Sequence, residues 1–180
     1  MEIGVRTNLT NGSKDAIARS VYVVGEDVYV AGFEENNATI WKNSTKEDLG
    51  RGAAAGIFVA GNDVYVVGNT SLNGVLVATL WKNKAPQTLT DVTVTSQASS
   101  LYVQGNDVYV TGYLTRENRR IAVVWKNGIA QELTDGSITA EAMDIAVHNG
   151  NVYVVGYEGP TSSRVLKLWK NGVLQEFPEA

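Results

Sequence analysis

Short apolar runs, arranged in pairs and closed by small polar turns, succeed one another along the chain. Ser20 to Val24 is followed by Val28 to Ala31, Gly56 to Ala60 by Val64 to Val67, Ser100 to Gln104 by Val108 to Val110, and Asp144 to His148 by Val152 to Val155. Runs of this length, rich in valine and tyrosine and bounded by glycine or asparagine, predict strands. The second run of each pair is apolar at consecutive positions, as in Val28-Tyr29-Val30-Ala31, so both faces of that strand are expected to be covered. Between the runs lie Gly25-Glu26, Gly61-Asn62, Gly105-Asn106 and Asn149-Gly150, where glycine or asparagine supplies the positive backbone angle of a tight hairpin. A variable loop is expected next, then a third strand ending in tryptophan. A Lys-Asn turn leads to a fourth strand that ends near Leu9-Thr10, Leu89-Thr90 and Leu133-Thr134, with Leu49-Gly50 and Phe177 as divergent versions.

The pairs belong to a longer repeat. Asp27-Val28-Tyr29-Val30 returns at 63–66 and 107–110, and as Asn151-Val152-Tyr153-Val154. Trp41-Lys42-Asn43 returns at Trp81, Trp125 and Trp169, with Trp spacings of 40, 44 and 44 residues. The first unit is four residues shorter before its Trp, and the connection from the first unit to the second is also four shorter. The boundaries fall near 9–43, 44–83, 84–127 and 128–177, in one repeat domain covering 1–180, with 1–8 as a candidate closing strand. Four units of about 44 residues, each a four-stranded antiparallel blade covered by its neighbours, predict an all-β fold of the β-propeller type. A solenoid is the weaker alternative. The ends hold a surplus: Ile3 to Thr10 and Gly172 to Phe177 both resemble a fourth strand, so either one chain closes a four-bladed ring or copies assemble into a larger one.

The pattern Val-Tyr-Val-x-Gly-x-Asp-Val-Tyr-Val-x-Gly, followed by Leu-Trp-Lys-Asn-Gly and Leu-Thr-Asp-Gly, resembles the repeats of propeller-like proteins common in gut-associated bacteria and mostly uncharacterised. It extends over residues 9 to 177. The resemblance implies a secreted or envelope-attached protein; family chains often carry more units and an export signal, and Met1-Glu2-Ile3-Gly4 lacks the basic and apolar regions of one. A domain, a trimmed piece or an engineered fragment without a natural ligand is therefore one expectation.

Composition narrows the chemistry. With 44% hydrophobic and 19% charged residues, 25 Val, 18 Gly and three Pro, the chain is globular and strand-forming. A net charge of -4 argues against a broad nucleic-acid or anionic-membrane footprint, and no apolar run has the length of a spanning helix. The absence of Cys and the single His148 exclude disulfides, thiolate sites and a multi-histidine metal cage. No cofactor and no metal are expected. Asn8, Asn11, Asn37, Asn43 and Asn69 head glycosylation sequons that carry little weight in a chain rich in Asn and Thr.

Repeated residues are read as structural. Asp27, Asp63 and Asp107 start strand two and are expected to bond backbone amides at the hairpin. The four Trp, with Tyr29, Tyr65, Tyr109 and Tyr153, are expected to fill the space between units. His148 is expected at the surface. Unrepeated residues are the candidate ligand contacts: Phe33, Glu34, Tyr113, Arg116, Arg119, Arg120, Tyr157 and Glu158, all assigned to the rim of variable loops. The arginines suit an anion or acidic sugar, and the aromatic-carboxylate mixture suits carbohydrate. The resulting expectation is a non-catalytic scaffold or binding module for a protein or glycan, in which a homo-oligomer completing a larger ring is one option. The alternative is a carbohydrate-active hydrolase or lyase using rim carboxylates such as Glu34 and Glu158.

Overall fold

The protein is described by a computed structural model over residues 7–176. Among these residues there are fifteen strands and no helix. They are β1 Ala16–Val24, β2 Asp27–Glu34, β3 Asn37–Lys42, β4 Thr45–Ala60, β5 Asp63–Leu72, β6 Val75–Lys82, β7 Ala85–Thr88, β8 Ser96–Gln104, β9 Asp107–Arg116, β10 Arg119–Lys126, β11 Ile129–Glu132, β12 Ala140–His148, β13 Asn151–Glu158, β14 Val165–Lys170 and β15 Val173–Leu174. β1 to β7 form one seven-stranded sheet in chain order, β8 to β11 a four-stranded sheet and β12 to β15 another; all pairings are antiparallel, and no sheet closes on itself.

The seven-stranded sheet is two repeat units joined by one strand. Thr45 to Arg51 of β4 pairs with β3, and Gly52 to Ala60 pairs with β5. Elsewhere a loop separates the units, as at 89–95 and 133–139. The connection that is four residues shorter has no room for such a loop, and the chain runs straight through, bending at Gly50 and Gly52 with φ of +96° and +149°. The loop expected between the first two units is thus replaced by continuous strand.

Two further expectations are corrected. The first strand of each unit pairs with the second from four residues before the predicted start, across a β-bulge at Ala18/Ser20, Ala54/Gly56, Ala98/Ser100 and Ala142/Asp144. The variable loop between the second and third strands is, in three units, a two-residue hairpin: Glu35-Asn36, Asn73-Gly74 and Glu117-Asn118 all take positive φ. That geometry matches strand twist and allows the ladder to run to the tip. Only the fourth unit carries a longer loop, at 159–164. The length difference in unit one is a shorter hairpin, paired out to Glu34↔Asn37 where the next reaches Leu72↔Val75. The candidate closing strand 1–8 lies largely outside the described residues, as does Phe177.

The two repeated motifs form a single clip. Asn43, Asn83, Asn127 and Asn171 each accept the backbone N–H of Val28, Val64, Val108 or Val152 at 2.8–2.9 Å. The amide of the same Asn donates to Asp27, Asp63, Asp107 or Asn151. Lys42, Lys82 and Lys126 bind the same aspartates at 2.7–2.8 Å. The aspartates therefore take Lys and Asn side chains, where backbone amides were expected.

Apolar burial lies between units. One cluster joins Tyr29, Ala38 and Ile40 of the first unit to Ile57, Val59 and Trp81 of the second. The equivalent clusters join Tyr65, Ala78 and Leu80 to Leu101, Val103 and Trp125, and Tyr109, Ala122 and Val124 to Ile145, Val147 and Trp169. The first strands of the units contact one another in order, β1 against β4, β4 against β8 and β8 against β12. Tyr22, Phe58 and Tyr102 form an aromatic ladder along them, with ring centroids 4.8 and 5.4 Å apart.

Candidate functional site on the hairpin rim

The tight Asp-Lys-Asn clips occupy one rim, and the hairpins between second and third strands occupy the opposite one. On the hairpin rim, repeat-equivalent positions hold Phe33, Asn69, Tyr113 and Tyr157. Their surroundings differ because the residues opposite them on the first strands, Ile17, Ala53, Gln97 and Glu141, are not repeated.

The densest chemistry lies where the third unit meets the fourth. Arg120, at the start of β10, places its guanidinium 4.3 Å from the centre of the Tyr113 ring and donates to Glu141 at 2.8 Å. Glu141, on β12, is buried and also accepts the Tyr157 hydroxyl at 2.9 Å. Arg164 stacks over Tyr157 at 4.0 Å, and Tyr113 donates to Gln97 at 3.4 Å. Burial first, then the neighbouring Glu141, pushes the Tyr157 hydroxyl above its usual range. Burial likewise raises Tyr113, against the pull of the Arg120 cation. Burial works against the charge on Arg120, but Tyr113, Glu141 and Tyr157 outweigh it and keep the guanidinium protonated. The cluster thus offers two guanidinium groups, each over a tyrosine ring, against one buried carboxylate.

The structure brings together only three of the predicted residues, Tyr113, Arg120 and Tyr157. Arg116 is turned away and binds Glu132 of β11 through both terminal nitrogens, at 2.5 and 3.3 Å. Arg119 lies exposed beside Arg116 in the hairpin ladder. Phe33, in the first unit, carries Arg19 at 5.4 Å. Glu34 is buried in an ion pair with Lys46, and Glu158 pairs with Lys167 at 2.9 Å. Both carboxylates proposed for hydrolysis are therefore held by lysine. Arg116, Arg119 and Arg120 stand on strand ends flanking a hairpin, in place of the variable loop expected. Tyr113 and Tyr157 are buried with one face under an arginine, so the groups of this cluster left exposed to solvent are the two arginines. His148 is exposed at the end of β12. Among the described residues, no group of three or more His, Asp and Glu is placed to hold a metal ion, and no helix is long and apolar enough to cross a membrane.

Glu141 and Arg164 escaped the sequence reading. Glu141 sits three positions before the predicted strand start, on the part of β12 beyond the bulge, and Arg164 closes the longer loop between the second and third strands of the fourth unit. The signal available was their alignment with Gln97 and Arg120. No family model matches the sequence, and no curated protein matches it.

Proposed function

We propose that the four units are consecutive blades of a β-propeller, and that the chain is a non-catalytic scaffold and binding module whose hairpin rim takes a protein or glycan bearing an acidic group. The ordered contact of the first strands and the placement of all three apolar clusters between units support radial repetition. The observation that carries the binding reading is the pair of stacked arginines, Arg120 and Arg164, on one side of the rim. Guanidinium groups fixed by aromatic faces are pre-oriented for carboxylate or sulfate oxygens and lose little freedom on binding. Glu141 holds Arg120 from one side and leaves about half of its side chain exposed.

A glycan array with acidic and neutral members, read beside a pull-down on acidic and neutral peptides, tests the proposal. Retention is expected for acidic members only, weakening as salt is raised. The Arg120→Gln/Arg164→Gln variant is expected to lose at least about tenfold in affinity, since charged hydrogen bonds contribute about 1.5–3 kcal/mol each. Retention of neutral sugars with equal strength, or no effect of the double substitution, overturns it.

A further inference from the structure

Every junction between units is made from the same two faces. The leading face of one unit comes from its second and third strands, and the trailing face of the next is centred on its first strand. On the leading side, Ala38, Ala78 and Ala122 are sealed to 0% exposure, but the equivalent Leu166 of the fourth unit is 83% exposed. Val155 is 47% exposed, where its equivalents Ala31, Val67 and Thr111 are at 0%. On the trailing side, Ile57, Leu101 and Ile145 are 5–7% exposed, and the equivalent Val21 of the first unit is 61% exposed. Val23 stands at 60%, against 5–6% for Val59, Val103 and Val147. The described chain thus ends in two apolar faces that are opposite halves of an interface it already makes three times.

Each half carries a sign of what is meant to cover it. Leu89 closes the second unit and packs with Val110 and Trp125 of the third. Leu9, half-buried, lines a cavity with Val30 and Trp41, the equivalent residues of the first unit, so it stands where the last leucine of a preceding unit would. In sequence, Gly4 to Ser13 aligns with Gly128 to Ser137, the fourth strand and crossover of the third unit, with five identities in Gly, Leu-Thr and the closing Gly-Ser. On the other end, Met143, Val155, Leu166 and Leu174 bound an open groove of about 800 Å³ on the leading face of the fourth unit. The volumes complement each other: Leu166 is larger than the alanines it replaces, and Val21 is smaller than Ile57, Leu101 and Ile145, the residues that share a cluster with those alanines.

We propose that the leading face of the fourth unit receives the trailing face of the first unit of a second copy, and reciprocally, so that two chains close one ring of eight units. The proposal rests on the propeller reading given above. A contact between unlike faces closes into a ring when its rotation returns on itself. Propellers hold roughly four to eight blades, and among the described residues the four units leave both end faces open, so two chains are the number that fits.

Light scattering coupled to size exclusion tests this on the 180-residue chain, with a mass near twice 19.4 kDa expected. Leu166→Asp and Val23→Asp alter residues exposed in the single chain, so circular dichroism is expected to be unchanged. Each is expected to weaken dimerisation at least about 30-fold, the loss of a strong hot spot. Mixed together, the two variants are expected to form a 1:1 dimer tighter than either variant's own, because the unaltered leading face of Val23→Asp meets the unaltered trailing face of Leu166→Asp in one intact junction, while the other junction carries both aspartates. A wild-type monomer up to the solubility limit, a dimer indifferent to both substitutions, a mixture that dimerises no more tightly than either variant alone, or a ladder of higher multiples each overturns the proposal. A monomer that still retains acidic ligands overturns the ring alone. A dimer that retains none overturns only the ligand assignment.

Discussion

Gly32, Gly68, Gly112 and Gly156 stand opposite the four bulges, and a β-carbon built at any of them falls 1.9–2.1 Å from the carbonyl oxygen of Ile17, Ala53, Gln97 or Glu141. The glycine is what lets the bulged strand approach, so backbone must shift to admit even a methyl group. Gly112→Ala is expected to destabilise the protein by about 3 kcal/mol, read as a lower urea midpoint, and an unchanged midpoint contradicts this account. A second property at this scale is acid sensitivity. The lysine hydrogen bond, followed by the asparagine amide, holds Asp27, Asp63 and Asp107 below the ordinary value of 3.8. A carboxylate with a depressed folded-state pKa contributes stability above its unfolded value and loses it as pH falls through the folded one. Melting temperature is therefore expected to drop below about pH 4. Asp27→Asn/Asp63→Asn/Asp107→Asn, which copies Asn151, is expected to flatten that acid limb; an equally steep limb in the variant sinks the assignment to these residues.

Among the elements, the second strands and the turns beside them were legible because their determinants are local. Val-Tyr-Val runs bounded by Gly or Asn leave little choice. The bulged halves of the first strands were not legible, since Ala16 to Arg19 or Ala140 to Met143 carry no alternation and owe their strand state to pairing with β2 or β13. The rim cluster was partly legible for the same reason. Tyr113, Arg120 and Tyr157 differ visibly from their repeat equivalents, but Glu141 becomes the partner of Arg120 only once the third and fourth units dock. β4 shows the same limit: the missing four residues were countable, but their consequence depends on two sheets claiming one strand. Its 16 residues couple the first two units. Hydrogen exchange is expected to show β1–β3 and β5–β6 opening with one free energy. Copying Asp91 to Val94 in after Leu49 is expected to separate those energies. Distinct opening energies in the unaltered protein contradict the coupling.

For the whole molecule, the decisive fact is that the three apolar clusters lie between units and none lies within one. No unit can be stable by itself, and stability accumulates from neighbour to neighbour. The partly satisfied end units are the weakest links, and a partner chain on either face would strengthen them by mass action. The same arrangement makes the repeat the natural quantum of change in length. Excising residues 96–139 would set Tyr65, Ala78 and Leu80 against Ile145, Val147 and Trp169, residues of the same kinds as the Leu101, Val103 and Trp125 they lost. Such a chain could therefore grow or shrink through whole-unit duplication and deletion without redesign of its interior, whereas a deletion ending inside a unit would leave one junction with only part of its facing surface.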